Sequence, residues 1–261
     1  MTNPRVLFID IETAPLEAYT WGIWDVNVGL DQIKTEWSIL AFCAKWMDSR
    51  DIIYKDTSGR GQDKVRDDSE LLQSIWDLLN EADIVVAQNG VRFDIRKINS
   101  RLLMSGFGPY APIRVIDTLS VAKKYFGFTS NKLAWTSKYL TSVPKSDHRR
   151  FPGFELWIEC LKDNPVAWKE MRRYNIRDVV ACEQLYHRVR PWITNHPNFG
   201  TYKADKNKSC CPKCGSLKLQ KRGLSITQAG QYQRYQCGSC AGWSRSKQTL
   251  LPVQDRKVLL V

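Results

Sequence analysis

Long apolar runs are missing from this 261-residue chain, because charged residues interrupt every candidate. A membrane-spanning helix, which needs about 20 consecutive apolar residues, is therefore not expected. The N-terminus lacks a basic segment followed by an apolar stretch and a cleavage site. No secretory signal is read there, and the cytoplasm is the expected compartment. Cysteine is sparse over most of the chain: Cys43, Cys160 and Cys182 stand alone in apolar or helical surroundings and read as core residues. That excludes a disulfide framework. There is no internal repeat and no low-complexity tract. Acids are nearly absent from the end of the chain. Residues 201–261 hold 12 Lys and Arg against 2 Asp and Glu, whereas residues 1–200 hold 27 against 25. A basic appendage on a nearly neutral body suits a polyanionic partner, most simply nucleic acid; a solvated tail is the plainer alternative.

What is present is globular: 43% hydrophobic and 11% aromatic residues, in a chain long enough to bury a full core. Apolar runs predict strands at 5–9, 38–46, 51–54, 84–87 and 113–116. Helical spacing predicts helices over 69–79, 93–104, 118–125, 131–140, 154–161 and 165–189, the last with a proline at its start. Residues 57–66 and the basic, Pro-bounded stretch 141–153 read as loops, and 191–208 as a linker. Strands first, then alternation, then helices: the pattern is that of an α/β fold, a mixed β-sheet with helices on both faces.

The first strand, VLFIDIET, ends in two acids. Asp10 and Glu12 are i and i+2, so on a strand they face one point in space. Like charges at that range destabilise the fold unless a cation separates them. Three further stretches bear on this. QNGVRFD puts Asp94 at a strand-to-helix junction, a common place for sites in α/β sheets; alone, such an Asp is usually a helix cap. IRVIDTL puts Asp117 at a similar junction, where it reads as the N-cap of the following helix. RRYNIRDVVACEQLY puts Tyr174 and Asp178 at i and i+4 on one helix face.

In this order, DIET on the first strand, N-x3-F-D in the middle and Y-x3-D on a late helix resemble the three motifs of the DnaQ-like (DEDD) 3′–5′ exonuclease superfamily. Tyr before the last Asp resembles the DEDDy branch, which includes the proofreading domains of family A and B DNA polymerases. The resemblance covers roughly residues 1–190 and implies an RNase H-like sheet. It also implies a site of Asp10, Glu12, Asp94 and Asp178 holding two Mg²⁺ or Mn²⁺ ions, hard cations that prefer carboxylate oxygens. Asp10 would bridge both ions, Glu12 and Asp178 would complete the nucleophile-side site, and Asp94 would serve the second ion. Tyr174 would orient the attacking water, since a phenol with a pKa near 10 is a poor base at neutral pH. Thr13, Asn89 and Phe93, which neighbour the motifs, are candidates for holding the 3′-terminal nucleotide, with Phe93 favoured as a core residue. His148, Arg149 and Arg150 in the basic loop either contact phosphates or are solvated.

The remaining cysteines gather as CCPKCG and QCGSCAGW. Cys211-x2-Cys214 and Cys237-x2-Cys240 have the spacing of a closed tetrahedral zinc site, structural because four thiolates leave no open position. Cys210 is the spare. The segment resembles a zinc ribbon. Lys213, Lys218, Lys221, Arg222, Arg234 and Arg245, with Tyr232, Tyr235 and Trp243, are its candidates for phosphate and base contacts, although the aromatics are also what a small ribbon core needs.

The expected organisation is thus an exonuclease domain over 1–190, a linker over 191–208, and a zinc ribbon and tail over 209–261. The expected activity is metal-dependent 3′–5′ hydrolysis of DNA, from single-stranded ends. An RNA 3′-exonuclease is the nearest rival, and an inert nucleic-acid-binding adaptor the next. The ribbon's charge favours nucleic acid, while docking on an acidic replication or recombination protein is its alternative role.

Overall fold

The computed structural model describes residues 3–145, 148–203 and 208–260. The expected 141–153 loop and 191–208 linker each include a few residues outside that range. In chain order the first strands are β1 (Val6–Thr13), β2 (Glu17–Ala18), β3 (Ile33–Thr35), β4 (Ile39–Trp46) and β5 (Ile53–Asp56). Then come α1 (Ser69–Glu81), β6 (Ile84–Ala87), α2 (Asp94–Met104), β7 (Arg114–Asp117) and α3 (Thr118–Tyr125). Helices α4 (Leu133–Leu140), α5 (Glu155–Leu161) and α6 (Pro165–Val189) follow. The C-terminal part carries β8 (Leu219–Thr227), β9 (Gly230–Cys237), β10 (Trp243–Arg245) and the short α7 (Val253–Lys257). The chain forms two compact units, one of residues 5–186, the other of 187–260 with residues 3–4. Among the described residues no helix is long and apolar enough to cross a membrane.

The larger unit is built on a five-stranded mixed sheet of order β5-β4-β1-β6-β7. Strand β1 is central, antiparallel to β4 and parallel to β6. Its alternation decides the layers. Leu7, Ile9 and Ile11 enter a buried cluster with α1 and α2, including Leu71, Leu72, Ile75, Leu79, Ile98 and Leu102. The even residues go to the opposite face, where Phe8 meets the ring of Tyr186 on α6 edge-on, at 5.6 Å between centroids. A second cluster on Leu40 and Ala41 of β4 packs Leu156 and Cys160 of α5 with Ala167, Trp168 and Met171 of α6. The expected α/β sheet with helices on both faces is what forms.

Several details differ from the sequence expectations: the strand expected over 5–9 runs Val6–Thr13, and the helix expected over 131–140 begins at Leu133. The strand expected at 51–54 begins at Ile53 and runs to Asp56, pairing Ala41 to Asp56 and Ala44 to Ile53. Residues 14–35, for which no element was expected, contain the small β2–β3 hairpin. Arg66 holds its base, donating from Nη1 to the carbonyls of Pro15 (3.0 Å) and Glu36 (3.2 Å) and from Nη2 to the Glu17 carboxylate (2.5 Å). The loop between them leaves Tyr19, Trp21, Ile23 and Trp24 in solvent.

The entry to α1 is tied to the sheet through Asp68, which is buried. Its Oδ2 accepts from the Ile39 amide (2.9 Å) and from Arg101 Nε (2.8 Å), and its Oδ1 from Arg101 Nη2 (2.7 Å). One carboxylate thus joins β4, α1 and α2 through a two-pronged guanidinium contact. Removing the arginine leaves a buried charge without its cation, so Arg101→Leu is expected to cost about 3 kcal/mol of stability. Urea unfolding checks this; a change under about 1 kcal/mol would show that the pair is dispensable.

Candidate metal and nucleic-acid site

The site grows from the alternation of β1. With Ile9 and Ile11 committed to the α1/α2 face, Asp10 and Glu12 are driven to the face that α6 covers. There Asp10 Oδ2 accepts from Asn175 Nδ2 at 2.5 Å, and the same amide group reaches the Asp10 carbonyl at 3.2 Å. Glu12 Oε2 accepts from the Trp157 indole of α5 at 3.2 Å. Asp94, the first residue of α2, is 1% exposed and accepts the Ile11 amide on Oδ1 at 3.1 Å, between the two β1 acids along the chain. Asp178, one turn beyond Tyr174 on α6, is 3% exposed.

Among these acids lies one ammonium. Lys145 Nζ bonds Asp178 Oδ2, and it sits 4.4 Å from the centroid of the Tyr174 ring. His148 follows, its ring edge-on to Tyr174 at 5.1 Å and to Trp157 at 5.6 Å, with Nδ1 2.8 Å from the Phe151 carbonyl oxygen. The basic 141–153 stretch therefore brings Lys145 and His148 to the acids. Arg150 is exposed, with its guanidinium 6.0 Å from the Phe151 ring.

Lys145 does not offset four carboxylates. Burial first, then Asp94, Glu12 and Asp178, raise the Asp10 carboxyl well above its usual range. Burial and Asp178 push Glu12 up to about 8, and burial pushes Asp94 up to about 7 against the Ile11 hydrogen bond. Asp178 is raised by burial in spite of Lys145. Its second oxygen, Oδ1, is buried and accepts no hydrogen bond. Tyr174 is also raised, by burial and by the Glu12 and Asp178 charges, so at neutral pH it is a phenol and not a phenolate. A buried, undercompensated acid cluster with an idle carboxylate oxygen fits a divalent cation.

The neighbours predicted to contact a nucleotide take three different places. Thr13 lies at a register shift directly after Glu12, half-buried. Asn89 takes a left-handed conformation (φ 65°), with its amide on Asp117 Oδ1 at 3.0 Å. Phe93 packs on the α1/α2 core. Asp117 caps α3 as expected, accepting from Leu119 and Ser120, and its other oxygen takes the Val91 amide at 3.3 Å. It thereby fixes the loop that delivers Asp94. Lys145 and Asn175 carry no signal as a pair. One sat in a stretch read only as a basic loop, the other inside the Y-x3-D spacing itself.

The second unit holds the cysteines. The ligand sulfurs of Cys211, Cys214, Cys237 and Cys240 all lie within 4.8 Å of one another, the only group of Cys, His, Asp or Glu among the described residues that converges so tightly. The carboxylates of the larger unit are more spread. Each Cys pair sits on a turn: the Gly215 amide returns to the Cys211 carbonyl (2.8 Å) and the Ala241 amide to that of Cys237 (2.9 Å). Gly215 and Ala241 both have positive φ, 72° and 59°. Only the first turn uses the residue that adopts this without steric cost. Hydrogen bonding from Cys214 draws the Cys211 thiol below its usual range. Four converging thiols of this kind fit a structural Zn²⁺. Strands β8, β9 and β10 form the three-stranded antiparallel sheet beside them.

Of the cations expected to grip phosphate, Lys213 is buried with its ammonium on the Pro191 carbonyl. Arg234 is bonded to the Arg222 carbonyl (2.8 Å) and lies over Trp243 at 4.9 Å. Both hold the unit together, which is what a small core requires.

A five-stranded mixed sheet with acids on its central strand, covered by a helix bearing another, defines an RNase H-like α/β protein. A family model for the RNase H superfamily matches residues 7–190, and the chain belongs to that superfamily. Among solved structures, the family B DNA polymerase of the hyperthermophilic archaeon Pyrobaculum calidifontis is similar, with a TM-score of 0.55 at 16% identity. The match covers 73% of this chain and 25% of that one, so this chain corresponds to a quarter of the polymerase's length. At that identity the likeness concerns the fold. No curated protein sequence matches.

Two outcomes follow from the site. Glu12 and Asp94 keep protons in the folded, Mg²⁺-free chain that an unfolded chain releases near pH 4. Where the folded state binds more protons, stability falls as pH rises, here between about pH 5 and pH 8. Thermal melts without Mg²⁺ or Mn²⁺ should thus show a lower midpoint at about pH 8 than at about pH 6, and Glu12→Gln should flatten that slope. An unchanged slope in the variant would remove Glu12 from the cluster. Separately, Cys214→Ser is expected to abolish stoichiometric zinc in purified protein, read by elemental analysis; full zinc retention would contradict a four-cysteine site.

Proposed function

We propose that this chain is a metal-dependent 3′–5′ exonuclease that hydrolyses phosphodiester bonds of DNA from single-stranded 3′ ends, with its zinc ribbon binding nucleic acid. The observation that carries the reading is the buried acid cluster of Asp10, Glu12, Asp94 and Asp178 facing Tyr174, with Asp178 Oδ1 unpartnered. Burying four acids around one ammonium is costly to the fold, and a cation-dependent reaction is the function that explains keeping them. Membership of the RNase H superfamily supports the nuclease class. The motif resemblance to the DEDDy branch, together with the likeness to a family B DNA polymerase, supports the 3′–5′ direction and DNA.

Asp10, Glu12, Asp94 and Asp178 would hold two Mg²⁺ or Mn²⁺ ions. Metal held there would supply charge neutralisation on the phosphate and activation of a water. The chain's own groups set the geometry. Asn175 fixes the Asp10 carboxylate, Trp157 fixes Glu12, and the Ile11 amide fixes Asp94. Tyr174, held as a neutral phenol, donates or accepts a hydrogen bond to orient water but does not take its proton. Lys145 holds Asp178 and adds positive charge where a phosphate must approach.

The test is degradation of a 5′-labelled single-stranded DNA and a matching RNA, with Mg²⁺, with Mn²⁺, and with neither. A metal-dependent ladder from the 3′ end of DNA is expected; Asp10→Ala should abolish it and Tyr174→Phe should slow it by about 10²-fold. A ladder on RNA alone would replace DNA with RNA as the substrate. Tight binding without cleavage of either strand would reduce the protein to a nucleic-acid-binding adaptor.

A further inference from the structure

The C-terminal unit has a groove of about 800 Å³ whose lining includes Lys208, Arg245, Lys247, Tyr235 and the hydroxyl residues Thr201 and Ser244. Three cationic residues belong to the lining, and no acid among the described residues does. The cations come from two separate segments. Lys208 precedes Cys211 on one wall; Arg245 ends β10 on the other, and Lys247 follows it. Both walls are fixed. Phe199 donates its amide to the Pro212 carbonyl (2.7 Å), and Ser246 donates its amide to the Gln233 carbonyl of β9 (2.9 Å). The Arg245 guanidinium lies 3.7 Å from the centroid of the Tyr232 ring, which is outside the lining, so this charge reaches the groove only by leaving that ring.

We propose that this groove is the nucleic-acid site of the ribbon and holds the backbone phosphates of a single strand. It deepens the reading of the ribbon as a nucleic-acid-binding module and rests on it. Spaced cations suit successive phosphates of a chain, and hydroxyl side chains are common phosphate partners. The Tyr235 ring in the lining gives an unstacked base a face to lie on, which a paired base cannot use. The cations on β8, by contrast, lie outside the groove: Lys221 and Arg222 are exposed on the strand and Lys218 directly precedes it.

The experiment compares two triple variants of the full chain at equal change of charge. One neutralises the groove (Lys208→Gln, Arg245→Gln, Lys247→Gln); the other neutralises cations outside it (Lys218→Gln, Lys221→Gln, Arg222→Gln). Binding of a fluorescein-labelled oligothymidine is followed by anisotropy over a salt series without Mg²⁺ or Mn²⁺, so the result does not depend on cleavage. The groove variant is expected to bind about 10-fold more weakly and to lower the slope of log K against log salt by about 2, three contacts at roughly 0.7 each. The outside variant should change both far less. Zinc content and melting midpoint, retained in both, show that the ribbon is folded. Equal weakening by both variants would overturn the groove and leave a diffuse basic surface. Wild-type protein with no salt-dependent binding would overturn the ribbon's nucleic-acid role altogether. A duplex that binds as tightly, with the same loss in the groove variant, would overturn the single-strand assignment.

Discussion

The larger unit is organised by a conflict on one strand. β1 is the central strand of its sheet, so both of its faces are covered, yet two of its residues are carboxylates. Period-two alternation leaves no freedom: burying Leu7, Ile9 and Ile11 against α1 and α2 forces Asp10 and Glu12 toward α6. A one-residue slip would put the acids into the apolar cluster and the isoleucines onto the polar side. The register of β1 is thereby specified from both faces at once. The acids on α2 and α6 are then held at that same place, one by the Ile11 amide and the other by Lys145.

Each surrounding polar group answers part of that conflict. Asn175 is the cheapest answer, because a neutral amide satisfies Asp10 without adding charge. Lys145 supplies the one ammonium, from a loop and not from the sheet or α6, so its charge is mounted on the least regular element at the site. Trp157 gives a hydrogen bond to Glu12 while its ring, with those of His148 and Tyr174, walls the acids with apolar surface. Such walls cut two ways. They lower the local dielectric, which raises the acids' pKa values, and they strengthen whatever cation enters.

How much of this was readable from the residues depends on whether a feature was periodic. DIET could be placed because i and i+2 on a strand share a face, and Tyr174 and Asp178 because i and i+4 on a helix do. Asp94 and Asp117 stand at strand-to-helix junctions that the apolar runs delimit, and the structure gives each a backbone contact there. Lys145 had no period to betray it; a lysine in a basic loop is usually solvated, and only the fold carries this one back to α6. The β2–β3 hairpin was invisible for another reason. Strands of two and three residues carry no alternation, and its anchor, Arg66, is some 30 residues away in sequence from Glu36. In the ribbon the ligand spacing was plain, but the roles of the basic residues were not, since an exposed lysine and one bonded to a carbonyl look the same in a sequence.

The two units solve the same electrostatic problem with opposite means. In the larger unit negative charge is concentrated and buried, and the surplus must be met by something from outside the chain. In the smaller unit four thiols converge, while exposed cations lie both in the groove lining and on β8. A polyanion would be repelled by bare carboxylates and attracted by exposed lysines and arginines. On the proposed function, capture and chemistry fall on separate scaffolds, and the acids need not be diluted with cations to attract a substrate. The near-neutral balance of residues 1–200 and the strongly basic one of 201–261 are then two halves of one arrangement. A chain with the same net charge spread evenly would weaken both, because cations around the acids would compete for the carboxylates that a metal needs.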